Sequence, residues 1–213
     1  MALTRLTGAN ALSGNVPAAN FNNASLNAVT SIPSSIATGD LKFISTATAS
    51  SSASIEFSLG DYKEYQFYFV NCHPQNGSVK FQFNFSTDNG SNYNVTKTTT
   101  AFISSHSEDD LYTNLAYQGS NDLAQSTAFQ DLTREDGNGT NASISGSLTI
   151  FNPSSSTFVK HFISKINSKT YYPEIHTFFV AGYGNTISPI TNIKFQFSSG
   201  NIDAGQILLF GVN

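Results

Sequence analysis

The residues with potential for chemistry are four histidines, one acidic cluster and one cysteine. They are His73, His106, His161 and His176, then Glu108-Asp109-Asp110, and Cys72. Zinc sites take His, Cys and carboxylate ligands at short, characteristic spacings, and a nucleophilic serine or cysteine needs a histidine base beside it. No histidine in this chain has a second histidine or a cysteine at such a spacing. We therefore predict no catalytic, metal or cofactor site, and a site assembled only in the folded chain is the alternative.

Two of the histidines and the cysteine have structural interpretations. His161 stands in an apolar run beside Phe162, which favours a strand position that is either hydrogen-bonded or at an interface. His73 precedes Pro74, which is typical of a turn at the end of a strand. Cys72 is predicted to be a small apolar residue at a strand end. As the only cysteine it excludes an intramolecular disulfide.

The acidic residues can also be explained without a metal or catalytic site. The acidic cluster at residues 108–110 could give oxygen ligands to Ca²⁺, but it lacks the ordered pattern of acids and glycine of a calcium loop. A solvated loop is the preferred interpretation, and turn chemistry explains Asp88-Asn89-Gly90 in the same way. A glycosidase needs two carboxyl groups at a set separation, and 14 acidic residues offer too many pairs to single one out. The short segment Gly182-Tyr183-Gly184-Asn185 predicts a bulge or turn rather than a phosphate-binding loop.

The composition excludes several classes of partner. Only 11% of the 213 residues are charged, against about 25% in an ordinary globular protein. The net charge is −4 with no run of Lys and Arg, so we predict no nucleic-acid partner, because phosphate binding needs a clustered positive field. No segment reads as a signal peptide, and no apolar run approaches the length of a membrane span. The sequence therefore predicts neither export nor membrane insertion.

Alternating apolar and polar residues predict eight to ten strands between residues 41 and 213. The predicted strands are residues 43–46, 53–57, 62–71, 79–86, 111–117, 144–151, 158–163, 175–183, 190–197 and 206–212. Residues 123–129 predict either a strand or one short helical turn. No ten-residue window has the period of an amphipathic helix. The predicted fold class is all-β, an antiparallel β-sandwich or jelly-roll-like head.

Three strands carry more specific predictions. Residues 79–86 and the following Asp88-Asn89-Gly90-Ser91 predict a hairpin, with Tyr93 and Val95 returning opposite Phe85 and Phe83. Residues 62–71 predict a buried central strand. Residues 206–212 are apolar on both faces, which predicts a central strand with neither side facing solvent.

Residues 1–40 differ in composition from the rest of the chain. Their only charged residues are Arg5 and Asp40, their only aromatic is Phe21, and most of the remainder is Ala, Ser, Asn, Thr and Gly. Such a segment has too little apolar surface to close a core alone. We predict that residues 1–40 form an extended N-terminal arm for attachment and oligomerisation, and that residues 41–213 form the head. A disordered tail is the alternative.

Six blocks in the head and two in the arm carry a family resemblance. The head blocks are TATASSSASI (46–55), STDNGSNY (86–93), DLAQSTAF (122–129), FNPSS (151–155), FVKHF (158–162) and SSGNIDAG (198–205). Together they resemble a family of small virion structural proteins of tailed bacteriophages, particularly marine phages. The opening MALTRL and the segment GNVPAAN (14–20) are similar to the N-termini of phage fibre and appendage proteins.

The resemblance implies a non-enzymatic virion component, usually a homotrimer, whose head is carried on an N-terminal attachment segment. Its implied partners are further copies of itself and, through residues 1–40, the capsid, portal or tail. The loops at residues 105–110 and 134–141 would face solvent or a host glycan or protein. The implied location is the virion, assembled in the cytoplasm of the bacterial host, and tail fibre, head fibre and capsid decoration all remain open.

Two other functions compete with this one. A stand-alone carbohydrate-binding module is the first, because β-sandwiches with exposed tyrosines often provide stacking platforms for sugars. A hydrolytic tailspike domain is the second. It is disfavoured by the chain's size and by the absence of a parallel β-helix repeat.

Overall fold

A computed structural model describes residues 41–213, and these residues form twelve β-strands. The strands are β1 (Leu41–Thr48), β2 (Ile55–Ser58), β3 (Glu64–Pro74), β4 (Phe81–Ser86), β5 (Lys97–Ser107), β6 (Thr113–Tyr117), β7 (Gln130–Asp131), β8 (Ile144–Phe151), β9 (Lys160–Lys169), β10 (Glu174–Gly184), β11 (Asn192–Phe197) and β12 (Ile202–Val212). No helix occurs within this range. The prediction for residues 1–40 lies outside the described residues.

The strands form two antiparallel sheets of unequal size. The large sheet has eight strands in the order β1-β12-β3-β8-β9-β10-β5-β6, and the small sheet has four in the order β2-β11-β4-β7. The two sheets pack face to face over one hydrophobic core. The predicted fold class, an all-β antiparallel sandwich, is therefore confirmed.

Phenylalanine rings fill the core between the sheets. Because side chains alternate along a strand, Phe81, Phe83 and Phe85 of β4 share one buried face. Phe195 of β11 is fully buried at the centre. Its ring lies 5.2 to 6.5 Å, centroid to centroid, from the rings of Phe57, Phe67, Phe69, Phe81 and Phe83. These contacts join both sheets through one residue.

The predicted hairpin after β4 is wrong. Its turn is present, since Asn89 and Gly90 have φ angles of 58° and 84°, but residues 92–96 form no strand. β4 pairs with β11 and β7 instead, and the chain crosses to β5 in the large sheet. Alternation and a turn motif led to the prediction that β4 pairs with the segment that follows it in the chain. In the structure its partner is β11, which comes from far along the chain and brings Phe195 beside the phenylalanines of β4.

The prediction that β12 and β3 are buried on both faces is also wrong. Each is flanked by strands on both sides, and inward residues such as Phe67 and Leu209 are buried. The opposite face is not covered by any described element, so Tyr68 and Val70 are exposed and Phe210 is only half-buried. The two strands are central within the sheet but cover only one side of the core.

The register of the large sheet defines two ends of the sandwich. At one end, here called the base, β1 begins, with Leu41 opposite Val212. At the other end, here called the tip, Glu174 lies opposite Ser107, and the β5–β6 and β9–β10 connections lie there. β3, β5, β10 and β12 each have 11 residues, which corresponds to about 35 Å between base and tip.

Replacing Phe195 by alanine should destabilise the head more than any exposed aromatic replacement. Removing a fully buried phenylalanine costs about 3–5 kcal/mol, because transfer energy is lost and a cavity is left. The free energy of unfolding is measured by urea denaturation followed by circular dichroism. The matched control is Phe158→Ala, the same change in an exposed loop, which should alter the free energy by less than about 1 kcal/mol.

Candidate functional site

The loops singled out from the sequence come together at the tip. The backbone N–H of Glu108 donates to the carbonyl of Pro173 at 2.9 Å, so the β5–β6 loop lies against the β9–β10 turn. On the other side of that turn, Asp136 forms an isolated bridge with Thr170, and the N–H of Gly137 donates to the carbonyl of Lys169 at 3.4 Å. Residues 105–110 and 134–141 therefore flank the same turn.

Three exposed tyrosines lie on these connections. Tyr112 ends the β5–β6 loop, and Tyr171 and Tyr172 form the β9–β10 turn. The rings of Tyr171 and Tyr172 are 5.5 Å apart and nearly perpendicular. Exposed aromatic faces beside polar groups can stack on sugar rings or anchor a protein partner.

Two shallow polar grooves also open at the tip. The first has a volume of about 310 Å³ and is lined by His106, Glu108 and Lys169 among others. The second, of about 520 Å³, is lined mainly by polar residues such as Asn71, His73 and Asn141. Both present hydrogen-bond donors and acceptors, as recognition of a polar ligand requires.

Each carboxylate of the acidic cluster has a nearby partner: Asp109 and Asp110 contact residues close to them in the chain, and Glu108 lies 3.4 Å from the Lys169 ammonium of β9. Asp109 accepts hydrogen bonds from the Ser107 hydroxyl at 2.6 Å and from the Leu111 N–H at 3.1 Å. These bonds lower the pKa of Asp109 below its ordinary value. Asp110 lies 2.9 Å from Nε2 of His106. The carboxylates thus shape the loop, in agreement with the preferred interpretation.

Asp88 has a similar role in the turn after β4. Its carboxylate accepts hydrogen bonds from the Ser86 hydroxyl at 2.6 Å and from both the backbone and side-chain amides of Asn92. The Ser86 bond is the largest cause of a pKa lowered to about 2. Turn chemistry accounts for this residue, as predicted.

The histidines do not converge on one place. His73 is the second-last residue of β3, so its predicted position near a strand end is confirmed but the predicted turn is wrong. His106 and His161 lie on the outer face of the large sheet, and His176 is buried on β10. The ring of His161 lies 6.1 Å from that of Tyr183. Within residues 41–213, no group of three or more His, Cys, Asp or Glu side chains is placed to hold a metal ion. Cys72 is buried in β3, and burial raises the pKa of its thiol to about 12.

Sequence reasoning missed a buried polar cluster near the tip. Ser168 and His176 are paired across β9 and β10 on the inner face, and Asp136, in the loop after β7, lies close enough to Ser168 for the Ser168 hydroxyl to lower the pKa of its carboxyl. Asp136 Oδ1, Ser168 Oγ and His176 Nδ1 are buried without a hydrogen-bond partner. The residue types match a nucleophilic triad, but all three are at most 2% exposed, so no substrate can reach them.

Only part of this cluster is visible in the sequence. The alternation of β9 places Ser168 on the same face as Phe162 and Ile166. Asp136 stands in the charged, glycine-rich segment 134–139, whose composition predicts a mobile, solvent-facing loop. That prediction is wrong for Asp136, which is fully buried, because Val79 and Thr170 pair with it on either side.

Burial favours the neutral forms of two ionisable residues, Asp136 and Lys97, and shifts the pKa of each accordingly. It raises the pKa of Asp136 to about 7, against the hydrogen bond from the Thr133 hydroxyl, which acts in the opposite direction. It lowers the pKa of Lys97 to about 7. The Lys97 ammonium donates to Asn84 Oδ1 at 2.5 Å and to the Val95 carbonyl at 2.7 Å.

Comparison of the chain with protein-family models, curated proteins and solved structures gave no match. In the part of the chain that the structure describes, no helix has the length and apolar character that a membrane span requires.

Replacing Asp136 by asparagine should change how stability depends on pH. In the folded protein the pKa of Asp136 is about 7, above its ordinary value of 3.8. The protonated side chain therefore contributes its whole stabilisation below pH 3.8, and this stabilisation is lost as the pH rises to about 7. The amide of an asparagine side chain does not ionise in this range. The free energy of unfolding of Asp136→Asn relative to the parent should therefore rise over this interval, by on the order of 4 kcal/mol.

A Lys97→Met variant provides a control whose free energy of unfolding, relative to the parent, changes with pH in the opposite direction. The folded pKa of Lys97 is lowered from 10.5 to about 7, so its contribution is full above pH 10.5 and lost as pH falls through 7. The stability of Lys97→Met relative to the parent should thus rise as pH falls. Urea unfolding at a series of pH values from about 3 to about 11 measures both variants, because this range spans both shifts. Parallel curves for Asp136→Asn and the parent would contradict the assignment.

Proposed function

We propose that the protein is a non-enzymatic structural component of a bacteriophage virion, a trimeric fibre-like or decoration appendage. Residues 1–40 anchor it to the capsid, portal or tail, and the β-sandwich head faces outward. Its location is the virion, assembled in the cytoplasm of the bacterial host. The proposal starts from the resemblance of the six head blocks and the two N-terminal blocks to phage virion proteins.

The observation that carries the proposal is that the two ends of the head differ. Residue 41 begins β1 at the base, so the chain that precedes it joins the sandwich there. The loops at 105–110 and 134–141 and the three exposed tyrosines lie at the tip, about 35 Å away along the strands. This arrangement suits an appendage that is held at one end and presents recognition loops at the other.

The composition of the head supports an assembled state. Charged residues are few, and the outward face of the large sheet exposes apolar side chains, including Phe43 and Ile163. Exposed apolar patches of this extent usually mark an interaction surface. A subunit whose stability is completed by neighbouring copies explains both features.

A stand-alone carbohydrate-binding module is the second candidate. The exposed rings of Tyr171 and Tyr172 and the groove of about 310 Å³ beside them favour it. The two candidates differ in oligomeric state: native mass spectrometry of the full chain should give a trimer for the appendage and a monomer for the module.

Deletion of residues 1–40 should abolish incorporation into particles and leave a folded head. The core of residues 41–213 is closed by its own two sheets, so the truncated protein should remain soluble. Particles produced by a phage lacking the gene, complemented with full-length or truncated protein, are purified and assayed by quantitative mass spectrometry. Incorporation of the truncated protein at the full-length level would contradict the anchoring role.

Replacing Tyr171 and Tyr172 together by alanine should weaken attachment to the host without affecting incorporation. Stacking of an aromatic side chain is worth about 0.5–1.5 kcal/mol beyond its buried area, so we expect roughly a tenfold or greater loss in adsorption rate. The control replaces Phe158 and Ile187 by alanine, because both are exposed and lie in loops next to the base ends of β9 and β10. Unchanged adsorption of the Tyr171 and Tyr172 variant would exclude the tip tyrosines from recognition.

A further inference from the structure

The outer face of the large sheet carries few charges and is not covered by any described element, and its aromatic and aliphatic side chains are interspersed with Ser, Thr, Gln and Asn. We infer that this face packs against neighbouring copies of the same chain around a threefold axis. The inference rests on the proposed trimeric function and identifies the surface that holds the trimer together. It is carried by two aromatic ridges, the charge pattern and the area of the face.

The first ridge, ridge A, lies on β1, β12 and β3. It consists of Phe43, which is paired with Phe210 across β1 and β12, and of Tyr68 on β3, which is paired with Leu208 and is therefore a diagonal neighbour of Phe210. The Phe210 ring lies 5.5 Å from that of Phe43 and 5.6 Å from that of Tyr68, both edge to face. Phe43 is 53% exposed and Tyr68 is 38% exposed, so ridge A presents a preformed aromatic surface.

The second ridge, ridge B, lies on β10, β5 and β6. It consists of Phe179, Phe102 and Tyr117, which are direct cross-strand neighbours. The rings of Phe102 and Phe179 stack at 4.7 Å with an angle of 11° between their planes. Phe102 is 42% exposed and Tyr117 is 59% exposed.

Shallow depressions lie beside the ridges. One of about 430 Å³ lies over β8, where Ser145 and Ser147 are short. Another, of about 520 Å³, lies over β10 at Ala181 and Gly182. A face with aromatic ridges next to depressions can receive a ridge of another copy, as close packing at an interface requires.

The charge pattern favours association between copies. The row of side chains that crosses all eight strands through Tyr68 and Phe102 also contains Thr46, Leu208, Ser147, Lys165, Phe179 and Tyr117. Lys165 is its only charged residue, and the Lys165 ammonium lies 5.7 Å from the centre of the Phe179 ring. The adjacent row, from Phe43 to Thr100, has no charged residue. Two such faces can meet with little desolvation of charge and little like-charge repulsion.

The area of the face is enough for two modest contacts, one with each neighbouring copy. Eight strands span about 34 Å, and the three rows of outward side chains around its middle cover about 20 Å along the strands. The resulting face measures roughly 700 Å² before side-chain relief is counted, and a ring of three divides it between two contacts of roughly 350 Å² per partner each, against the ~800 Å² per partner of a standard protein interface, so the three contacts must form together to hold the trimer.

Threefold symmetry determines how the ridges meet. In a ring of three identical subunits each contact is heterologous, so every copy uses two different patches. Ridges A and B are two such patches at opposite sides of one face. When three faces turn toward a common axis, ridge A of one copy meets ridge B of the next, and the third contact closes the ring.

Two double variants and their mixture test this arrangement in the full chain. Phe43→Thr with Tyr68→Thr removes ridge A, and Phe102→Thr with Tyr117→Thr removes ridge B, while threonine keeps a high preference for strands. Tyr171→Thr with Tyr172→Thr is the matched control, with two exposed aromatics removed at the tip. Native mass spectrometry and sedimentation measure association, and circular dichroism confirms that each variant folds.

The expected result is a trimer for the parent and the control, and a monomer for each ridge variant, with association weakened roughly 100-fold or more. An equimolar mixture of the two ridge variants should form a heterodimer, because the intact ridge B of one can bind the intact ridge A of the other. Formation of this heterodimer also shows that both variants are folded.

The remaining outcomes separate the inference from the proposed function. If the parent is a trimer and both ridge variants remain trimers, another surface holds the assembly, and the inference fails while the proposed function stands. If a ridge variant alone forms a dimer, or the mixture stays monomeric, the pairing of ridge A with ridge B is overturned. If the parent is a monomer, the trimeric function fails, and binding of a glycan or host protein to this face would give it another occupant.

Discussion

The structure depends on the aromatic core at Phe195, where rings from both sheets meet. Phe57, Phe81 and Phe83 approach this ring from the small sheet, and Phe67 and Phe69 approach it from the large sheet. Large flat side chains bury much area at little cost in side-chain entropy, which suits a chain with few charged residues and no tryptophan. The two sheets are held together without a disulfide or any helix among residues 41–213.

The unequal size of the sheets explains where the unusual surfaces lie. Four strands cannot cover eight on the inner side, so loop segments complete that side near the tip. One of them brings Asp136 beside Ser168, and burial there raises the pKa of Asp136. No described element covers the outer side of the large sheet, which leaves its aromatic ridges exposed.

The proposed function uses these surfaces separately. Attachment is assigned to residues 1–40, self-association to the outer face of the large sheet, and recognition to the tip. The strand direction keeps the tip far from the point where the arm joins, so contact with a host does not compete with anchoring. The aromatic ridges run across the strands between these two ends, which allows three heads to associate side by side with their tips together.

Local patterns in the chain were enough to establish the all-β class, most strand positions and which residues share a face, because alternation with period two is a local property of an extended chain. They also identified the turn at Asn89 and Gly90 and the loops that flank the β9–β10 turn. Three features emerged only from the folded chain: β4 pairs with β11, Asp136 is buried, and Tyr68 and Phe210 face outward from central strands. These features depend on contacts between residues far apart in the chain. Alternation shows that a strand has two faces, but the packing of the sheets is needed to show which face is covered.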